Sequence, residues 1–237
     1  MSKQNLAIRP KPYAQTAGAL YLVIAVCGGF AIGYVPSVIY VAGDAAATAA
    51  NLTDNIRLFQ AGILGDIVVL LAEIVLTAML YVLFAGVSKT LSLVAAFARL
   101  TMVVIMGFNL LLNIAPMYLV SGAGVLNAFE PAHLQAVALG FFEGHQMVTY
   151  IWQLFFGLHL LALGYMIIRS DLFPRLLGWM MFIGSFGYSL QGVVKLISVD
   201  QSLLNVGVIV LLTIGTLGEL SFAFYLLIKG TKPEAAL

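Results

Sequence analysis

The residues with chemistry to offer lie in the most apolar parts of this chain. Glu73, Arg99, His159 and Glu219 each stand inside a long apolar run, joined there by the amides Gln153, Gln191, Asn109 and Asn113 and by Asp66. A carboxylate and a guanidinium can close an ion pair, a histidine beside carboxylates can act as general base or metal ligand, and amides can hold a ligand or fasten one helix to another. Hydrocarbon penalises all of these groups unless the protein itself receives them. The densest stretch is EGHQMVTYIWQLFFGLHLLALGYMIIR, Glu143 to Arg169, a membrane-length segment carrying Glu143, His145, Gln146, Gln153 and His159.

Catalytic and metal constellations fail on spacing. His145 and His159 are fourteen residues apart, which is roughly 21 Å along a helix and too far to share a metal. The chain contains no H-E-x-x-H, P-loop, G-x-S-x-G or haem-attachment motif. Glu73, His159 and Glu219 could in principle meet around a metal from three helices, but only one well-buried histidine is on offer where such sites use two or three. No catalytic residue, metal or cofactor is therefore assigned. Cys27 is the single cysteine, sits in an apolar run, and reads as a packed small residue.

Composition dictates what positions these groups. Of 237 residues, 62% are hydrophobic and 9% charged, with mean hydropathy +1.05, against roughly a quarter charged in soluble domains. The apolar runs have helix length rather than the ~10-residue alternation of barrel strands. A single domain over residues 1–237 is expected, an all-α integral membrane protein of six transmembrane helices. The expected spans are about 14–41, 62–84, 91–119, 146–168, 176–197 and 203–228. The first run is longer than the h-region of a signal peptide and is read as a retained span. Asp44 should cap a short alanine-rich helix, and Pro131 to Phe142 should form an interfacial helix leading into the fourth span. A net charge of +1 without any basic run excludes nucleic acid as a partner and leaves the lipid bilayer. The oligomeric state stays open.

Six spans put both ends on one side. Lys3, Arg9, Lys11, Lys89, Arg169, Arg175, Lys229 and Lys232 fall on that side, whereas the opposite loops hold Arg57 and Lys195. Eight against two places both termini in the cytoplasm. Counting from the cytoplasmic turns puts Arg99, His159 and Glu219 at roughly 14–15 Å, Glu73 at roughly 21 Å, and Gln153 and Gln191 at roughly 24 Å. Asp66, Asn109 and Asn113 come out at roughly 29–35 Å. The expectation is a polar pocket at these nine positions, opening away from the cytoplasm. The competing reading is helix-to-helix glue, each contact worth on the order of 0.6 kcal/mol and up to about 2.

Several stretches carry a resemblance: GDAAATAANL (43–52), RLFQAGILGD (57–66), LFFGLHLLALGY (154–165), IRSDLFPRLLGW (168–179) and LGELSFAFYLLIKG (217–230). This text resembles the membrane-protein family known as domain of unknown function 4386. The resemblance spreads over nearly the whole chain and implies a bacterial-type cytoplasmic (inner) membrane protein; it carries over no activity, substrate or cofactor. The leading expectation is a non-enzymatic bundle that binds a small amphiphilic or polar molecule, to sense, shield or move it. An intramembrane lipid-modifying or hydrolytic enzyme using His159, and a structural or accessory subunit, are the alternatives.

Overall fold

The computed structural model describes residues 11–197 and 202–231, and among these every regular element is helical. Lys3, Arg9 and Lys232, which enter the charge count above, lie outside the described residues. The order is α1 (Lys11–Ile39), α2 (Ala45–Asp54), α3 (Ile56–Phe84), α4 (Lys89–Leu119), a 3-10 turn (Gly124–Ala128), α5 (Pro131–Arg169), α6 (Arg175–Leu196) and α7 (Ser202–Ile228). Among the described residues, five helices are long and apolar enough to cross a membrane: Lys11–Ile39, Ile56–Phe84, Lys89–Leu119, Pro131–Arg169 and Asn205–Ile228. The expected fifth span is a helix, but α6 is not among these five. Its four glycines, Gln191 and two basic residues lower its hydropathy.

Local chemistry explains the boundaries. The Asp44 side chain accepts from Ala47 N at 2.9 Å and caps α2 as its sequence predicts. Pro131 opens α5 at the position where its missing N–H is harmless. Where a separate interfacial helix was expected, α5 continues unbroken for 39 residues, because nothing after Pro131 breaks the ladder. That length is about 58 Å, well beyond a ~30 Å slab, so part of it lies outside hydrocarbon. Helix α3 starts at Ile56 rather than near Gly62, since Arg57, Leu58 and Gln60 are good helix formers. In α1 the π-helical segment Gly29–Tyr34 stands just ahead of Pro36, whose lack of an N–H interrupts the regular bonding.

The helices are inside-out relative to a soluble bundle. On α3 the exposed side carries Leu64, Ile67, Val68, Leu71, Ile74 and Val75, while Asp66, Glu73 and Thr77 are buried. Likewise α4 exposes Phe97, Leu100, Val104, Phe108 and Leu111 and buries Arg99 and Asn109. Apolar stripes of this size facing outward, with charge inside, suit lipid as the solvent.

The chain forms two compact units. The first comprises the described residues of Met1–Val23, Ala72–Val103 and Tyr150–Leu237; the second is Ile24–Leu71 with Val104–Thr149. In the first, Phe173, from the link between α5 and α6, is buried against Phe84 (centroids 5.6 Å apart) and Phe222 (5.1 Å), and Tyr21 meets Phe222 edge-on at 5.9 Å. Helices α6 and α7 approach so closely that a Cβ on Gly184 would overlap the Cα of Gly215. In the second unit, Val35, Ile39, Leu52, Phe59, Ile63 and Phe142 form the core. Asn51 there donates to Ile39 O at 3.3 Å, tying α2 to the end of α1.

The glycine contact gives a direct test. Gly184→Leu is expected to cost about 1–3 kcal/mol or more through overpacking, read as a lower unfolding temperature in detergent. Gly33→Ala, which meets open space, should leave that temperature nearly unchanged.

Candidate functional site

One guanidinium organises the interior of the first unit. Arg99, 1% exposed, donates from Nε to Glu73 Oε2 at 2.5 Å. Its Nη1 donates to His159 Nε2 at 2.8 Å and to the Tyr21 hydroxyl at 3.3 Å. The guanidinium carbon also stands 5.1 Å from the centre of the Tyr21 ring, a cation–π contact. These partners come from α1, α3 and α5 and Arg99 itself from α4, so four helices meet at one side chain.

The hydrogen bonds fix the state of His159. A guanidinium only donates, so Nε2 must offer its lone pair; Nδ1 lies 2.9 Å from the carbonyl of Ala95, which only accepts, so Nδ1 carries the hydrogen. The ring is the neutral Nδ1–H tautomer with both nitrogens engaged. It therefore has no free lone pair with which to take a substrate proton or hold a metal. Among the described residues, no three His, Cys, Asp or Glu side chains assemble as a metal site.

Glu219 joins this group from α7 without a cation of its own. It is partly buried, lies within electrostatic reach of Arg99 and Glu73, and is faced by the Tyr188 hydroxyl. Tyr188 in turn is 3.2 Å from the Thr216 hydroxyl. Gln153 donates to Gln191 Oε1 at 2.7 Å, and its own Oε1 is buried with no partner. Beside His159 is a void of about 10 Å³, lined by Thr77, Ser92, Ala95 and Leu163 among others. That is room for one water at most.

The other three candidates belong to the second unit. Asn113 donates to Asp66 Oδ2 at a long 3.4 Å. Asn109 donates to His145 O at 3.1 Å and Thr149 Oγ1 at 3.3 Å, while its Oδ1 is buried and unpartnered. This unit also holds an open groove of about 650 Å³, between α2 and the segment leading into α5, and none of the nine residues lines it.

Eight of the nine positions thus resolve into separate hydrogen-bonded groups, Glu73 with Arg99 and His159, Gln153 with Gln191, Asp66 with Asn113, and Asn109 with α5, and Glu219 belongs to none of them. Tyr21 and Tyr188 were missed. The same depth count would have found both, since Tyr21 is ten residues from Lys11 and Tyr188 thirteen from Arg175, roughly 15 and 20 Å. Thr77 and Ser92 also place buried hydroxyls toward the Lys89 turn, on the side away from the expected opening.

Removing Arg99 leaves Glu73 buried and alone. Arg99→Ala should therefore destabilise by about 3–5 kcal/mol, while Arg99→Met combined with Glu73→Leu recovers most of that loss. Thermal unfolding of both variants in detergent checks this; equal losses would show that the ion pair is not the source of the penalty.

A family model, Domain of unknown function (DUF4386), matches residues 16–230. An uncharacterized protein from Archaeoglobus fulgidus is 35% identical over 79 residues, 33% of this chain and 44% of that protein. The match thus spans less than half of that relative's length. No solved structure matches the chain. With the model covering nearly the whole of an inside-out helical bundle, the chain belongs to the DUF4386 family.

Proposed function

We propose that this is a six-span protein of a cytoplasmic membrane, with both termini in the cytoplasm, that binds a small polar or amphiphilic molecule inside its first unit at Glu219. The positive-inside count supports the orientation, and α6, which turns Trp179, Ile183, Phe186, Leu190 and Val193 outward, supplies the sixth span beside the five more apolar helices. The lipid bilayer is the partner that covers the outward stripes.

The observation that carries the binding reading is the unequal treatment of two carboxylates. Glu73 pairs directly with Arg99, whereas Glu219 forms no such ion pair and has the Tyr188 hydroxyl and the field of the same arginine at longer range. An uncompensated acid at membrane depth costs on the order of 2.5–3.5 kcal/mol even on the lenient insertion scale. Packing alone supplies no reason to keep such a group. A ligand that donates hydrogen bonds or positive charge would complete it, and the free acceptor on Gln153 offers a further polar contact in the same unit.

The enzymatic alternative loses its base, because the His159 lone pair is held by Arg99. The structural alternative is favoured by the way most of the other polar side chains pair among themselves, and the following outcome separates it. Native mass spectrometry of the purified chain is expected to show a co-purifying small molecule. Glu219→Gln should lose that molecule while eluting as an assembled protein. A chain that carries nothing in either form would mark the polar residues as helix-joining only.

A further inference from the structure

Small side chains keep the second unit's groove open. Ala46, Ala49, Ala50 and Thr53, spaced i, i+3, i+4 and i+7, turn one face of α2 toward it, and no long side chain stands at these positions to fill it. The opposite face of α2 is spent on the core, where Thr48 and Leu52 are buried. The floor of the groove is apolar, since Ala49 and Leu126 line it and are both buried. Its rim is acidic. Asp54 closes α2 and Glu130 stands directly before α5, so each wall contributes one exposed carboxylate. Among the described residues neither carboxylate enters an ion pair, and no Lys, Arg or His lines the groove.

The backbone adds charge of the same sign. Asp54 and Leu119 are the last residues of α2 and α4 and both line the groove, and the carbonyls at a helix C-terminus carry partial negative charge. The start of α5 has the opposite sign, which Glu130 stands against. We infer that this groove binds an organic cation with an apolar body, the positive charge at the Asp54 and Glu130 rim and the body on the floor. Its volume of about 650 Å³ falls in the range of small-molecule sites, roughly 300–1,000 Å³. A bare metal ion would leave the apolar floor uncovered, and an anion would meet two unpaired carboxylates. Phe129, 58% exposed in the lining, offers its ring face to the positive charge. The site is independent of Glu219, which belongs to the other unit.

Equilibrium dialysis of tetraphenylphosphonium against the full-length protein in detergent, with protein-free micelles subtracted, is expected to show saturable binding. Tetraphenylborate, of the same shape and opposite charge, should not bind. Asp54→Asn with Glu130→Gln should weaken the cation by about tenfold, as expected for two partly exposed charge contacts. Ala50→Trp, which fills the groove and leaves both carboxylates, should weaken it at least as much, and Glu219→Gln should bind as the wild type does. Asp54→Lys with Glu130→Lys should turn the preference to tetraphenylborate, a gain that a misfolded chain would not give. Cation binding that tolerates either the neutral pair or Ala50→Trp, equal binding of both ions by the wild type, or no saturable binding overturns this site. Binding lost in Glu219→Gln but kept in the neutral pair would also overturn it, while leaving the first unit's site in place.

Discussion

Much of the first unit depends on one charge having nowhere else to go. A guanidinium sealed from water stays charged and demands acceptors, and Arg99 finds them in Glu73, Tyr21 and His159, on three other helices. Each partner is then fixed in turn. His159 is locked in one tautomer by the carbonyl of Ala95, one turn back on the helix that bears Arg99. Glu73 lends its own carbonyl to Thr77 at 2.6 Å. The network links α1, α3, α4 and α5 where nonpolar packing alone would allow helices to slide, because lipid offers little hydrophobic force to hold apolar helices together.

The remaining contacts in that unit follow from the absence of such force. Close backbone approach does the work that oil-drop burial does in water, which is why α6 carries small residues at Gly178, Gly184, Ser185 and Gly187, all buried. The same small residues make α6 the least membrane-like of the long helices when judged by composition. It nevertheless turns Trp179, Ile183, Phe186, Leu190 and Val193 outward, so a helix diluted by small residues still offers lipid an apolar stripe.

The long helices were legible because a stripe of apolar residues about 20 or more long has few alternatives, and the Asp44 cap because its chemistry is local. Continuity through α5 was not, since the polar cluster from Glu143 to Gln146 resembles a boundary, yet it lies within an unbroken helix. Depth counting put Arg99 and His159 at one level, and the two do hydrogen-bond, but depth carries no azimuth. It could not tell that Gln153 would face Gln191, that Asp66 would take Asn113, or that the second unit's groove would avoid all nine positions. Tyr21 escaped for a different reason: it carries neither formal charge nor amide, yet it uses both ring and hydroxyl on Arg99.

The most direct test of this account is the protonation pattern of the His159 ring, read by nitrogen NMR on selectively labelled protein, with His159→Gln to assign the signal. The contacts of its two nitrogens with Arg99 and with the carbonyl of Ala95 predict a hydrogen on Nδ1, a bare Nε2 accepting a strong hydrogen bond, and no change across the neutral pH range. A hydrogen on Nε2, or a doubly protonated ring, would mean that Arg99 does not hold this histidine, and the argument that leaves Glu219 without a cation would fall with it.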